Sequence, residues 1–134
     1  MGIYIFLDWF FIVFHTAWTL FNLTGWMWRQ TRPYHLATSL ITAASWFILG
    51  YFYGWGYCCC TDWHWRVREI LGKDNSSYSF VHYAVKALTG TDMEPYTVDM
   101  AVLSVFLVTL SLSIVLNFRD YRKRSNEKDT LSGN

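Results

Sequence analysis

Three polar side chains in the first apolar segment have a spacing that could support chemistry. Asp8, His15 and Asn22 follow one another at intervals of seven residues. Seven residues make two helical turns, so the three side chains share one face of a helix. Ionisable groups at membrane depth are costly and commonly mark a functional site, here a proton-sensitive or ligand-contacting one.

The same stripe also has a structural interpretation. The aspartate would accept hydrogen bonds from Arg66, Arg68 or nearby Trp indoles, and the neutral histidine would bond a hydroxyl group such as that of Thr42 or Ser45. We favour this interpretation because one Asp and one His rarely form a complete proton path.

Two other apolar segments carry polar stripes of their own. The stripe in the second segment consists of His35, Thr38, Thr42 and Ser45. The stripe in the third consists of Thr97, Ser104 and Ser111. We expect all these stripes to face the interior of a helix bundle, where small and hydroxyl side chains allow close packing.

The three cysteines are consecutive, at positions 58 to 60. A disulfide needs closely placed Cβ atoms, so neighbouring cysteines pair poorly, although Cys58 and Cys60 could pair with strain. With Asp62 and His64 they could also hold zinc, but zinc sites usually have two separated pairs of ligands. A thiol or disulfide role and plain packing both stay open, and no metal is predicted.

The four histidines of the chain could in principle ligate a haem. His15 lies deep in its segment and His35 begins the next one, so the two cannot ligate one iron. His64 and His82 lie outside the apolar segments and could form only a surface site. We therefore predict no cofactor, and the sequence shows no catalytic constellation, so an enzyme is not expected.

The composition indicates a membrane protein. Of 134 residues, 53% are hydrophobic, 20% aromatic and only 16% charged. A disordered chain would be poor in aromatics, and a net charge of +1 offers nucleic acid no general attraction. Three segments, about 3–28, 35–55 and 95–118, are long and apolar enough to cross a bilayer.

The predicted fold is therefore all-α: one transmembrane domain over residues 1–118, with three spanning helices in a bundle. The connection 56–94 should hold a helix from Thr61 to Leu71 and an amphipathic helix from Ser79 to Leu88 that lies in the interface. Four spans are the less favoured alternative, because the second of these helices is too short and contains His82 and Lys86.

The basic residues predict the orientation. Arg29 and Arg32 follow the first span, and a basic cluster begins the tail at Arg119. Positive flanks stay in the cytoplasm, so the N-terminus and the connection should be outside and the C-terminus inside. The polar tail 119–134 reads as a disordered cytoplasmic segment.

A series of short motifs runs along nearly the whole chain in a specific order. They are Asp8, His15, Gly25-Trp-x-Trp-Arg29, Arg32-Pro33, His35, Trp46, Trp55-Gly-x-Cys58-x-x-Thr61, Val67-Arg68 and Phe80-Val-x-Tyr83. This series resembles the uncharacterised bacterial integral-membrane "domain of unknown function 2784" family, in a version similar to those from Bacteroidota. Members typically have Cys-Pro-Leu-Thr followed by Glu three residues on. Here Cys59 and Cys60 replace Pro and Leu, and His64 stands in place of the Glu.

The resemblance implies a small protein of the bacterial inner membrane, but no established activity. With that membrane, the orientation predicted from the basic residues makes the N-terminus periplasmic. It also implies a recurring polar set of Asp8, His15, Arg32, His35, Cys58, Thr61 and Arg68. With Asn22, Cys60 and His64 from the residue patterns, this set supplies the candidate site residues.

Two functions remain. The favoured one is an accessory or structural subunit of a larger membrane complex, because three helices alone enclose little volume. A lipid-facing surface rich in aromatics also suits packing on other integral membrane proteins or on further copies of the chain. The alternative is a membrane redox or proton-coupled protein that uses Cys58 to Cys60 with Asp8 and His15. Membrane lipids are the other expected partner, and nucleic acid is not.

Overall fold

The computed structural model describes residues 1–54, 57–73, 75, 77 and 79–132. Within them, three helical segments are long and apolar enough to cross a membrane: Gly2–Thr24, Arg32–Tyr53 and Pro95–Ser132, with mean hydropathies of 1.5, 1.4 and 2.3. The predicted all-α fold with three spans is confirmed. Trp55 and Gly56, where the sequence placed the end of the second span and the start of the connection, lie outside the described residues.

The first helix, α1 (Gly2–Thr24), carries its polar residues on one buried face. Asp8, His15 and Asn22 are the buried residues of α1. The helix ends before residue 28, where the sequence analysis ended the first span, because the chain turns at Gly25 and runs through a series of tight turns to the second span.

The second span begins with α2 (Arg32–Ala44), which has Pro33 in its first turn. Proline suits this position because the amide it lacks would have no partner in the helix. One π-helical turn, Ser45–Leu49, leads into the short helix α3 (Gly50–Tyr53). Gly54 then ends the span with φ of 110°, a conformation that glycine adopts without strain.

Two helices of the connection cover one end of the bundle. Helix α4 (Cys59–Ile70) packs mainly against α1, and α5 (Phe80–Thr89) packs against the third span. Ser79 caps α5 by accepting a 3.3 Å hydrogen bond from the His82 amide. With 10 residues, α5 is too short to cross a bilayer, so the alternative with four spans is wrong.

The third span, α6 (Pro95–Ser132), continues far beyond residue 118. The sequence predicts a disordered segment after residue 118. Within the described residues this prediction is wrong, because the segment continues as a helix. Lys, Arg and Glu have high helix propensity, and the spanning helix supplies the nucleus that an isolated peptide would have to form at a cost.

The rotation of α6 also differs from the prediction. Its buried residues are Val98, Phe106, Thr109 and Ser113. The predicted stripe of Thr97, Ser104 and Ser111 is exposed instead. Two of these hydroxyl groups donate to carbonyls one turn back in α6, at 2.8 Å each. Because a hydroxyl can be satisfied within its own helix, it can face lipid.

The interior of the bundle is mostly polar. The buried hydrophobic residues are Val67, Phe80, Val98 and Phe106. Among the described residues they are outnumbered by the buried polar residues, most of which form two clusters at different depths. Lipid drives no apolar residues inward, so interhelical contacts in a membrane rely on close packing and hydrogen bonds. The positions of these two clusters define the sites that could do chemistry.

Candidate functional site

The first cluster, called the connection cluster below, lies where α1 meets the connection. It consists of Asp8, His15, Cys58, Thr61, His64, Arg68 and Lys73. The second, called the tail-side cluster, lies closer to the tail. It consists of Asn22, His35, Ser39, Thr42 and Ser113.

Asp8 is the centre of the connection cluster and is only 1% exposed. Its Oδ1 accepts a 2.8 Å hydrogen bond from His64 Nε2, and its Oδ2 accepts a 2.6 Å bond from Lys73 Nζ. Arg68 Nη1 lies 3.6 Å from Oδ1. Three basic side chains of the connection therefore surround one carboxylate of α1, and this pairing is what makes a buried charge tolerable.

Helix α4 and the turn after it bring these basic groups together. His64 and Arg68 are one helical turn apart and share a face of α4. Gly72 follows the helix with φ of 67°, and the Lys73 amide donates to the Arg68 carbonyl at 2.9 Å. This glycine cap reverses the chain, so that Lys73 reaches back to Asp8.

Arg68 is held by more than its ion pair. Its Nη1 donates to the Tyr83 hydroxyl at 3.3 Å, and its Nε donates to Asn75 Oδ1 at 3.3 Å. The guanidinium also lies 4.7 Å from the centre of the Tyr83 ring, within cation–π range. These contacts tie α5 and the loop before it to the charged centre of the cluster.

The partners expected for Asp8 were partly wrong. Arg68 is close to the carboxylate as predicted, but Arg66 is 72% exposed and pairs with Asp62 at 3.1 Å. The remaining contacts come from His64 and Lys73 rather than from indoles. The prediction failed because it did not include the helical phase of α4, which points Arg66 away from α1.

His15 lies two helical turns after Asp8 along α1 and faces the start of α4. Its Nδ1 is 3.2 Å from the Phe11 carbonyl oxygen, which can only accept, so Nδ1 carries the proton of the neutral ring. Its Nε2 is therefore the acceptor. It lies 3.3 Å from Thr61 Oγ1 and 4.0 Å from Cys58 Sγ. This geometry makes His15 a base aimed at a hydroxyl and a thiol.

The hydroxyl partner expected for His15 was also wrong. Thr42 accepts a 3.0 Å hydrogen bond from Trp18 Nε1 and belongs to the tail-side cluster. Ser45 is 3.4 Å from the Tyr57 carbonyl. His15 bonds Thr61 instead, because α4 folds against α1 at this depth and α2 does not.

Cys58 occupies the residue just before α4, its N-cap position. Burial raises the pKa of the thiol, but its hydrogen bonds with His15 and Thr61 outweigh burial and lower the pKa to about 7 from the ordinary 9.0. Helix N-termini and neighbouring imidazoles are the usual stabilisers of a thiolate in proteins. The surroundings of Cys58 therefore favour the thiolate more than those of an ordinary cysteine do.

Cys60 behaves differently, two residues further on. Burial first, and then the charges of the Cys58 and Cys59 thiolates, raise its pKa to about 12. All three cysteines are free thiols and partly exposed. The run of three therefore contains one activated thiol and, beside it, one that stays protonated.

His64 is fully buried, at 0% exposed. Because its Nε2 donates to the Asp8 carboxylate, Nδ1 of the neutral ring is an acceptor, and it has no hydrogen-bond partner among the described residues. Burial, followed by the charge of Arg68, lowers the pKa of His64 in spite of Asp8. The His64 ring lies 6.4 Å from the His15 ring and stacks on Phe11 at 5.5 Å.

The tail-side cluster is neutral and completely bonded at its histidine. His35 Nε2 donates to the Asn22 carbonyl at 2.8 Å, and Nδ1 accepts from Ser113 Oγ at 2.9 Å. The Asn22 side chain accepts a 3.0 Å bond from Ser39 Oγ and donates to the Trp18 carbonyl at 3.1 Å. The cluster joins all three spans by hydrogen bonds alone.

The predicted candidates thus separate into two groups. Asp8, His15, Cys58, Thr61, His64 and Arg68 contribute to the connection cluster, with Cys60 beside it. Asn22 and His35 meet in the tail-side cluster. His82, the other histidine of the connection, lies apart from His64 and contacts the Met93 carbonyl at 2.9 Å.

Three members of these clusters were not predicted from the sequence: Ser39, Lys73 and Ser113. Asp120, which lies outside both clusters, was not predicted either. Ser39 lies one turn after His35, which is a usable signal. Asp120 pairs with Arg32 at 2.8 Å and carries a charge just after an apolar span. Lys73 directly follows a glycine that ends a helix, whereas nothing in the sequence distinguishes Ser113 from the exposed serines of α6.

The described residues contain no group of three or more His, Cys, Asp or Glu side chains arranged to hold a metal ion.

No curated protein and no solved structure matches the chain. A family model does match, over residues 5–118, and these residues include every member of both clusters. The chain therefore belongs to the family described as Protein of Unknown function (DUF2784).

Proposed function

We propose that this protein carries out thiol chemistry at one face of a membrane, with Cys58 as the reactive group and His15 as its base. The proposal rests on one observation: Cys58 occupies the N-cap position of α4, and its thiol lies 4.0 Å from the acceptor nitrogen of a buried histidine. A thiolate is the reactive form of cysteine, and both neighbours favour it.

The remainder of the connection cluster gives this pair a rigid support. Asp8 fixes α4 against α1 through His64, Arg68 and Lys73. The Phe80 ring stacks on His15 at 4.7 Å and limits its rotation. A base that is oriented by packing and by its second ring nitrogen is better placed to accept the proton of the thiol.

The rate of alkylation of Cys58 tests this proposal. The full-length protein in detergent is treated with iodoacetamide between pH 5 and 10, and fragment-ion mass spectrometry resolves the three cysteines. We expect the rate at Cys58 to be half-maximal near pH 7, because the thiolate fraction rises with pH through the pKa. His15→Phe should move the midpoint toward the ordinary 9.0.

Thr61→Val is a milder second variant, since it removes one hydroxyl group from the pair and should raise the midpoint less. His82→Phe is the matched control, because His82 contacts Met93 and not Cys58. A midpoint near 9.0 in the wild type, or one that His15→Phe leaves unchanged, contradicts the proposal.

The same proposal places the protein in the bacterial inner membrane, with the N-terminus and the connection in the periplasm. Arg29, Arg32 and the basic start of the tail support this orientation, which puts Cys58 in an oxidising compartment. An impermeant maleimide should label reduced Cys58–Cys60 in intact cells. Labelling only after permeabilisation of the inner membrane reverses the orientation.

An accessory role in a larger membrane complex is a second candidate. It is favoured by α6, whose residues from Tyr121 to Ser132 are all exposed. A lone helix in water is marginally stable, and a partner would bury its side chains. The spans also bury only 11%, 11% and 17% of their most apolar windows within the chain.

Purification from native membranes in mild detergent discriminates this role. Stoichiometric integral membrane partners, or a defined homo-oligomer, support it. A monodisperse and stable monomer in lipid nanodiscs contradicts it, and in that case lipid alone covers the apolar surface.

A further inference from the structure

The three consecutive cysteines are not equivalent in position. Cys58 has extended backbone angles, φ −128° and ψ 120°, whereas Cys59 and Cys60 already belong to α4. Cys60 lies two residues after Cys58, in the first turn of α4, and is partly buried. The activated thiol therefore has a second thiol within reach, separated from it by one residue.

We propose that Cys58 and Cys60 form a pair that exchanges with disulfides, in which Cys58 attacks the substrate and Cys60 resolves the intermediate. This inference rests on the proposed function and adds a substrate class, a disulfide at the connection side of the membrane. The role of Cys60 is assigned by its place in the first turn of α4, two residues after the N-cap Cys58, and by the poor geometry of a bond between directly adjacent cysteines.

The exchange balances in two steps. The Cys58 thiolate attacks one sulfur of the substrate disulfide, forms a mixed disulfide and releases the first substrate thiolate, which takes the proton held by His15. Cys60 then loses its proton to the second substrate sulfur and attacks Cys58 Sγ. A Cys58–Cys60 disulfide forms, the second substrate thiol leaves, and two electrons pass from the pair to the substrate.

The change in charge during the first step assists the second. In the free protein the negative charge of Cys58 is one cause that keeps Cys60 protonated. Once Cys58 is part of a mixed disulfide it has no charge, so this repulsion is removed when Cys60 must ionise. Cys60 therefore attacks after the substrate is attached and stays inactive before.

The ring that such a disulfide closes is short and strained. Strained disulfides have higher reduction potentials and are readily reduced again. A bond of this kind suits a pair that passes electrons between two partners, and it would contribute little as a permanent structural link.

Oxidised glutathione is a suitable probe for the purified, reduced protein in detergent. After acid quenching, mass spectrometry measures glutathione attached to Cys58 and the disulfide within the chain. Oxidised glutathione is used in large excess with no reduced glutathione added, so that the reaction is driven toward oxidation of the strained pair. The wild type should then show little adduct and should accumulate the Cys58–Cys60 disulfide. Cys60→Ser should trap glutathione on Cys58, with about ten-fold more adduct than the wild type, because the resolving step is lost.

Cys59→Ser is the matched control, one residue away, and should behave as the wild type. Cys60→Ala provides a second variant that removes the thiol without adding a hydroxyl group. The inference is overturned if the wild type retains as much adduct as the Cys60 variants, or if Cys59→Ser is the variant that traps glutathione.

The outcomes separate this inference from the proposed function. If Cys58 reacts no faster with glutathione than Cys59 does, the proposed activation of Cys58 has failed. If Cys58 reacts rapidly but its adduct persists in the wild type, Cys58 is activated and only the resolving role of Cys60 is wrong.

Discussion

Histidines are buried in both polar clusters, but the connection cluster surrounds them with charged groups and the tail-side cluster with neutral ones. His35 has a partner for each ring nitrogen, at 2.8 and 2.9 Å. His64 has Asp8 on one nitrogen and no partner on the other among the described residues. The hydrogen bonds of the tail-side cluster therefore hold the spans together, whereas the connection cluster retains a ring nitrogen that can still bind or transfer a proton.

The two clusters also differ in what they can change. The bonds of the tail-side cluster from His35 to Asn22 and Ser113, and from Ser39 to Asn22, each join two spans and would be lost if a span rotated. In the connection cluster, Lys73 is 44% exposed at its side chain and can return to water. Incomplete bonding is tolerated near catalytic groups because an unsatisfied group is available for a substrate. This contrast leads to four predictions.

Removal of the Asp8 charge should have the largest effect. Asp8→Asn keeps an acceptor oxygen for His64 but removes the Asp8 charge from beside the buried guanidinium of Arg68. Breaking a buried ion pair by removing one partner costs about 3–5 kcal/mol. Thermal unfolding in detergent should show a larger loss than for any single substitution in the tail-side cluster.

The Asp8 prediction has a built-in control. Arg66→Gln changes an exposed pair with Asp62 and should lie within about 0.5 kcal/mol of the wild type. If Asp8→Asn is no more destabilising than Arg66→Gln, the charges of the connection cluster are solvated and the contrast between the two clusters is lost.

The second-largest loss of stability should come from a substitution at the tail-side cluster, where the end of α1 meets α2. A Cβ atom added to Gly25 would lie 2.7 Å from the Phe21 carbonyl oxygen and 3.0 Å from His35 Cδ2. Gly25→Ala must therefore displace His35 and weaken its hydrogen bonds. Overpacking of this kind should lower the free energy of unfolding by about 2 kcal/mol.

Gly2→Ala is the matched control for Gly25, because a Cβ at Gly2 meets nothing within 4 Å. The two variants carry the same chemical change, so their difference in melting temperature isolates the contact with His35. Equal melting temperatures would mean that α1 and α2 can separate freely at this end.

The sequence predicted the fold class and the stripe on α1 because both depend on local periodicity. Intervals of seven residues placed Asp8, His15 and Asn22 on one face, and the structure has them buried together. The rotation of α6 could not be predicted in this way. Ser111 and Ser113 differ by only two positions, and the first is exposed while the second is 0% exposed.

The partners within the site depend on long-range contacts that no local pattern contains. Lys73 meets Asp8 only because α4 packs on α1 and because Gly72 reverses the chain. Cys58 meets His15 for the same reason. Resemblance to the family indicated Thr61 and Arg68 as important residues, but it did not indicate what they contact.

Mild acid should destabilise the connection cluster, as the third prediction. The pKa of His64 is lowered below the ordinary 6.5 in the folded protein. The unfolded chain therefore binds more protons than the folded one as pH falls through 6.5, and stability should decline there. His64→Gln keeps an amide donor for Asp8 but does not titrate, so its melting temperature should decline less between pH 7.5 and 5.5.

The contrary result for His64 is also informative. If His64→Gln and the wild type lose stability in parallel over this range, another group carries the pH dependence. The difference between the two proteins should be smaller than the effect of Asp8→Asn, because the neutral ring already dominates in the folded state at neutral pH.

The smallest effect, and the sharpest comparison, concerns two serines of α6. Ser113→Ala removes the hydroxyl group that His35 Nδ1 contacts at 2.9 Å, whereas Ser111 donates only to the Leu107 carbonyl of its own helix. Interhelical hydrogen bonds within membranes average about 0.6 kcal/mol, and those in a buried network reach about 1–2. Ser113→Ala should thus be measurably less stable in unfolding by denaturing detergent, and Ser111→Ala should match the wild type. A serine that bonds a carbonyl of its own helix keeps that bond whether or not the helices pack together. Equal losses of stability in the two variants would therefore mean that α6 is rotated from the orientation that completes the tail-side cluster.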